Sequence, residues 1–170
     1  MDVRQIDGLL VKISRGDNAA FEELYNCTKK GVFSFLYSYF KNYENTEDAM
    51  QTVYLKVKLG IGQYRHGTNG RAWLLQIAKN QALNELAKNS RVEYGDGFVV
   101  PIEPKLSGGV MEAMNKVLSE EEQRIVTLHV LWGYRHREIA KEMNCPTGTV
   151  TSKYKRSIAK LKEALKEEEE

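Results

Sequence analysis

Apolar residues recur at three- and four-residue spacing along most of this chain, whereas the alternating Val, Ile and Thr of strands are almost absent, and only three prolines interrupt 170 residues. That periodicity restricts the fold to packed helices. Phe21, Leu24, Tyr25, Thr28, Val32, Phe35, Leu36 and Tyr39 form one stripe, which polar residues break around 41–45. Thr46, Ala49, Met50, Val53, Val57, Ile61 and Tyr64 form a second, with Glu47 and Asp48 expected in its first turn, where carboxylates suit the helix dipole. Residues 65–70 break the period again. Trp73, Leu74, Ile77, Ala78, Ala82 and Leu86 supply a third apolar face, enough with the other two for an antiparallel bundle over residues 1–90.

Between residues 91 and 109 the helical period disappears, and these 19 residues hold four of the 13 glycines and two of the three prolines. A flexible linker is expected there. Fully extended it reaches ~60 Å at ~3.3 Å per residue, or about 18 base pairs of duplex. A second domain is expected over residues 110–170. Ser119 and Glu122 form a Ser-x-x-Glu capping box, followed by Ile125, Leu128, Leu131 and Trp132 and a stop at Gly133. A short helix over 137–143, a turn at Asn144-Cys145-Pro146 and a long helix from Thr147 with Val150, Tyr154, Ile158, Leu161 and Leu165 on one side suggest helix-turn-helix. The expected fold is all-α: an N-terminal helical bundle and a C-terminal four-helix domain with a helix-turn-helix, joined by the linker. The acidic run at 167–170 is expected to fray.

Bulk charge decides little, because 25 basic residues against 23 acidic ones leave +2. Its distribution is more informative. From Thr147 to Lys162 the last helix holds Lys153, Lys155, Arg156, Lys160 and Lys162 and no acid. Thr149, Ser152, Lys153 and Arg156 follow i, i+3, i+4, i+7 and share one face near the helix N-terminus, the part of a helix-turn-helix that enters the major groove. A merely solvated lysine-rich face is the plain alternative. Several other chemistries find no support. Cys27 and Cys145 form no Cys-x-x-Cys pair, and His66, His129 and His136 lack metal-ligand spacing, so neither a disulfide framework nor a metal site is expected. No Walker glycines or Gly-x-Ser-x-Gly elbow occur, and neither a cofactor nor a small-molecule substrate is expected. No apolar run approaches the ~18 residues of a membrane span and no signal peptide opens the chain, so membrane insertion is not expected and the cytoplasm is the expected location.

Blocks distributed over the whole chain resemble one family. Leu118-Ser-Glu-Glu-Glu-Gln-Arg-Ile-Val126, Gly133-Tyr134, Glu138-Ile139-Ala140 and Gly148-Thr149-Val150-x-Ser152-Lys153 with Arg156 resemble the C-terminal promoter-reading region of extracytoplasmic-function sigma factors. Gly16-Asp17-x-x-Ala20-Phe21-x-x-Leu24-Tyr25, Glu47-Asp48-Ala49-x-Gln51-x-Val53-Tyr54-Leu55 and Trp73-Leu74-x-x-Ile77-Ala78-Lys79-Asn80 are similar to that family's N-terminal region in order and spacing.

The resemblance implies a dissociable subunit, not an enzyme, that gives core RNA polymerase its promoter specificity and assists melting. It implies that Glu47, Asp48, Gln51 and Leu55 grip the polymerase, although helix capping alone would also explain the two acids. It further implies that the first domain holds unpaired bases of the minus-ten promoter element. Arg65, His66, Asn69 and Arg71 cluster around one loop, with Lys79 and Asn80 on the helix beyond it; Tyr64 and Trp73, on the apolar stripes, are expected in the core. Thr149, Thr151, Ser152, Lys153, Lys155 and Arg156 are the implied minus-thirty-five contacts, and an anti-sigma factor is an implied partner. Asn84 and Ala87 stand where family members commonly carry an acid and an arginine, and Thr151 where a basic residue is frequent, so some phosphate contacts of the family are expected to be missing.

Two other readings are open at this level. One is an autonomous helix-turn-helix regulator that binds promoter DNA without polymerase, usually as a dimer on two half-sites. The other is an enzyme using Glu47, Asp48 and a histidine as acid and base, which needs those groups to converge in a pocket.

Overall fold

The long helix α2 (Asn18–Phe40) is the axis on which the N-terminal half is built. The computed structural model describes residues 3–92 and 109–167, with eight α-helices and no strand among them. Around α2 pack α1 (Val3–Ser14), α3 (Tyr43–Gly60) and α4 (Gly70–Val92), each touching it directly. The second half of α2 is buried almost all round: Val32, Phe35, Leu36 and Tyr37 are 0–2% exposed, and Gly31, Ser34 and Ser38 are buried beside them. A helix enclosed on three sides loses the one-faced pattern of a surface helix.

Local chemistry sets the ends of these helices. Asp17 caps α2 by accepting from the Ala20 amide at 3.0 Å, and Lys41, in the left-handed region at φ 50°, closes it by donating to the Tyr37 carbonyl. Asn42 immediately caps α3 through the Asn45 amide. The break between α2 and α3 is therefore shorter than expected, and Glu44, not Glu47 or Asp48, occupies the first turn of α3. That corrects the capping assignment of the two acids. A short 3-10 turn (Ile61–Gln63) ends α3, and α4 runs on through Val92, past the expected end of the bundle at residue 90. Leu86 was expected on the apolar face, yet it is 38% exposed, and the inward positions are Leu74, Leu75, Ala78 and Ala82. The helix α1 escaped the sequence reading. Its Ile6, Leu9, Leu10 and Ile13 are all buried.

The described helices fall into two compact units. Most of the linker stretch, residues 93–108, lies outside the described residues. The C-terminal unit contains α5 (Val110–Val117), α6 (Glu120–Val126), α7 (His136–Glu142) and α8 (Thr147–Glu167). Ala113, Met114, Leu118, Val126, Leu161 and Ala164 form one part of its core, covered by Tyr154, Ile158 and Leu165. After α6 the chain makes one π-helical turn (Thr127–Leu131), so the Trp132 amide bonds the Thr127 carbonyl five residues back. The extra residue rotates the positions beyond the turn. Trp132 becomes fully buried while Leu131 swings outward to 37% exposure, against the expectation that both face the core.

The capping box at Ser119 forms as the sequence indicated, with Glu122 accepting from the Ser119 amide at 2.9 Å. Lys160 of α8 donates to both Glu122 oxygens at 2.9 and 3.0 Å, tying α6 to α8. Burial works to raise the pKa of Glu122, but Lys160 and Ser119 outweigh it and hold the carboxyl below its ordinary value of 4.5. Its stabilisation is thus present above pH 4.5 and fades as pH falls through the lowered value. Glu122→Gln should cost the C-terminal unit ~1–2 kcal/mol at neutral pH. In denaturant titrations that deficit should shrink below pH 4.5; an equal deficit in acid would contradict the linkage.

Candidate nucleic-acid and polymerase interface

The solvent face of α3 is fixed by its opposite side. Thr46, Ala49, Val53 and Val57 are 0–3% exposed, and a 3.6-residue period then turns Glu47, Asp48, Gln51 and Leu55 outward. All four are exposed, and Leu59, one turn past Leu55, is 77% exposed. Two leucines four residues apart on an otherwise polar face were the overlooked signal. Glu47 also accepts a hydrogen bond from Tyr43, whose hydroxyl is pushed up by that contact. Asp48 stands exposed on the solvent face of α3.

The loop 64–69 leads from the 3-10 turn into α4. Arg65 and His66 are exposed, and Gly67 takes the left-handed φ of 80° that lets the chain turn back. The exposed Asn69 caps α4: its side-chain oxygen accepts the Ala72 amide at 3.1 Å. Arg71 corrects the expected open basic cluster, since at 5% exposure it is folded into the bundle. Tyr64 and Trp73 are only partly buried, their rings 5.2 Å apart. On α4, Asn80 is exposed and takes a 2.8 Å bond from Gln76, while Lys79 is half-buried.

In the C-terminal unit the turn between α7 and α8 sits at residues 143–146, where Asn144 adopts φ 51° and the Cys145 amide bonds the Ala140 carbonyl at 3.0 Å. Val150 is fully buried and Tyr154, Ile158 and Leu161 follow it inward. Ser152, Lys155 and Arg156 are therefore exposed together, with Thr149 half-buried at their edge. Lys153 departs from the expected face: its ammonium bonds Glu121 of α6 and its side chain is 25% exposed. Thr151 also turns inward, bonding the Thr147 carbonyl and the Nδ1 of His136, each at 3.0 Å.

The histidines, expected to stay apart, partly converge. The rings of His129 and His136 lie 4.7 Å apart against Tyr154, because the π turn brings the end of α6 over the start of α7. Burial, followed by the neighbouring His129, pushes His136 below its ordinary value and favours the neutral ring. Among the described residues no three metal-capable side chains gather. Exposed Arg137 and Lys141 of α7 line a shallow groove with Asn144, Pro146 and Thr147. Two cations at i, i+4 just before the turn were a legible signal that the concentration of charge on α8 overshadowed.

Comparison with known proteins decides what this geometry belongs to. Residues 10–92 match the Sigma-70 region 2 family and residues 110–161 match Sigma-70 region 4. The chain is 30% identical to the ECF RNA polymerase sigma-E factor of Escherichia coli K12, over 92% of this chain and 90% of that one. The chain belongs to the extracytoplasmic-function sigma factors. The RNA polymerase sigma-H factor of Pseudomonas aeruginosa is 25% identical over 92% of both chains. The fold is that of a solved sigma factor RpoE from Bartonella quintana (TM-score 0.62, 24% identity, 86% of this chain and 96% of that one) and of CnrH (TM-score 0.58, 16% identity, 95% and 97%).

As a sigma factor the protein directs RNA polymerase to specific promoters and initiates transcription there; it is an initiation factor and not an enzyme. The autonomous regulator is not favoured. Among the described residues no helix is long and apolar enough to cross a membrane. The different settings of the two nearby lysines on α8 give a direct check on the recognition helix. Amine acylation followed by mass spectrometry should modify Lys155 several-fold faster than Lys153, and equal rates would contradict the Glu121 contact.

Proposed function

We propose that this sigma factor divides its work between residues 1–90, which bind polymerase and the minus-ten element, and residues 110–170, which bind the minus-thirty-five element, with 91–109 as the connection. Glu47, Asp48, Gln51 and Leu55, extended by Leu59, form the polymerase contact. Arg65, His66, Asn69, Lys79 and Asn80 hold the unpaired strand. Ser152, Lys155 and Arg156, with Thr149, face the duplex, while Lys153 and Thr151 orient the helix that carries them. The supporting observation is the sorting within each matching block: most of its apolar members are buried or half-buried, with Leu55 the exposed exception, and most of its polar members emerge on one exposed face. The protein acts where the polymerase is, in the cytoplasm. It is also held inactive by an anti-sigma factor, a reading supported by relatives solved with NepR and with the cytosolic domain of CnrY.

The assignment of α3 is checked by Asp48→Ala and Gln51→Ala, which should weaken co-purification with core polymerase while leaving the helical circular dichroism intact. Undiminished affinity in both would remove it. Arg156→Ala should cost ~1–3 kcal/mol of promoter binding and relax preference at one base pair if the guanidinium bonds a guanine edge, whereas a phosphate contact would weaken all sequences equally. Wild-type affinity and selectivity would reject the residue. Lys79→Ala with Asn80→Ala should spare closed-complex binding and lower the permanganate reactivity of unpaired thymines, because a captured base offsets an unstacking cost of a few kcal/mol. Full opening would reassign both side chains to the bundle.

A further inference from the structure

We infer that Asp7, on α1, is a positioning residue that fixes the shape of the loop 64–69 for an unpaired base; this rests on the proposed reading of that loop as part of the minus-ten interface. One oxygen of the Asp7 carboxylate accepts the Tyr64 hydroxyl, and the other lies 3.4 Å from Nδ1 of His66. A single side chain thus engages the residues on either side of Arg65. The Arg65 carbonyl in turn accepts from the amide of Thr68 at 3.3 Å and from its hydroxyl at 2.7 Å, closing the turn over Gly67.

The far end of the loop meets the same helix. Gly70 lies so close to α1 that a Cβ there would sit 2.9 Å from Leu10 Cδ1 and 3.1 Å from the Asp7 amide nitrogen. Both ends of the loop are therefore seated on one turn of α1, the start through a carboxylate and the end through backbone contact. Trp73 backs the arrangement from α4. Burial, then the Asp7 contact, pushes the Tyr64 hydroxyl up to about 12, so it stays a protonated donor to the carboxylate at neutral pH.

The exposures divide the labour. The Asp7 side chain is 18% exposed and that of His66 is 73%. The anion is tucked behind the loop, where it accepts the Tyr64 hydroxyl and lies beside the His66 ring, and the outer face is left to Arg65, His66 and Asn69. A loop held this way does not spend binding free energy on its own ordering when a base arrives. Asp7 lies upstream of residues 10–92, the stretch that matches the region 2 family, so the matched pattern gives it no role.

The test uses the full chain assembled with core polymerase on a promoter the wild type opens, and on variants of that promoter with single changes in the minus-ten element. Asp7→Ala and Tyr64→Phe should each lower permanganate reactivity of the unpaired thymines about tenfold, the scale of a lost hydrogen bond to a charged group. Both should also flatten discrimination among minus-ten bases, and the double variant should be no worse than either alone. Asp7→Asn keeps a carbonyl acceptor for Tyr64 and should recover most of the opening. Polymerase binding and circular dichroism should not change. Variants that only lose thermal stability, with wild-type opening and base preference, would make Asp7 a staple of the fold and overturn the inference, as would additive losses in the double variant. Arg65→Ala and Asn80→Ala separate the two levels. Loss of opening in those with wild-type behaviour in Asp7→Ala overturns the positioning role alone, whereas full opening in all of them overturns the loop reading and the positioning role with it.

Discussion

The burial of α2 is the constraint that shapes the surface of the N-terminal unit. With Val32, Phe35, Leu36 and Tyr37 almost inaccessible, the three helices around it must each present their apolar side inward. A helix has only one face to bury, so the opposite face is determined as well. On α3 that leaves Glu47, Asp48, Gln51 and Leu55 in solvent, and on α4 it leaves Asn80 outside while Ala78 and Ala82 pack. In the C-terminal unit Trp132, Ile139 and Val150 have the same effect on α8. The interfaces are in this sense the complements of two cores.

Charge on the recognition helix has to be read through those cores. Five cations between Thr147 and Lys162 suggest one uniform basic face, yet Lys153 is committed to Glu121 and Lys160 to Glu122. These two bind the helix to α6 and set its orientation. Lys155 and Arg156 keep their charge toward solvent. A cation in contact with its own counter-charge is poorly placed to replace the counterions of a phosphate backbone, so the electrostatic footprint of α8 is smaller than its composition.

Much of this was legible in the sequence, and the misses have specific causes. The helical class, the Ser119 capping box and the turn at Asn144 follow from local rules, and the structure contains each of them. The helix α1 was missed although Ile6, Leu9, Leu10 and Ile13 recur at helical spacing before the break at Gly16 and Asp17, so its signal was present in the sequence. Leu131 failed because a π turn shifts the phase of every later position, which a 3.6-residue template does not contain. Arg71 and Lys153 failed for a different reason: sequence gives the charge of a side chain but not the partner that draws it inward. The convergence of His129 and His136 likewise depends on the π turn and on the packing of α7 against α8, both invisible to spacing.

The central claim is that three exposed faces meet three different partners. Photocrosslinking in a complex of core polymerase, this chain and promoter DNA addresses it most directly, with a photoreactive amino acid placed in turn at positions 55, 66 and 156. The account requires position 55 to crosslink to a polymerase subunit, position 66 to the single-stranded minus-ten region and position 156 to the minus-thirty-five duplex. Crosslinks from position 55 to DNA, or from positions 66 and 156 to polymerase alone, would contradict it.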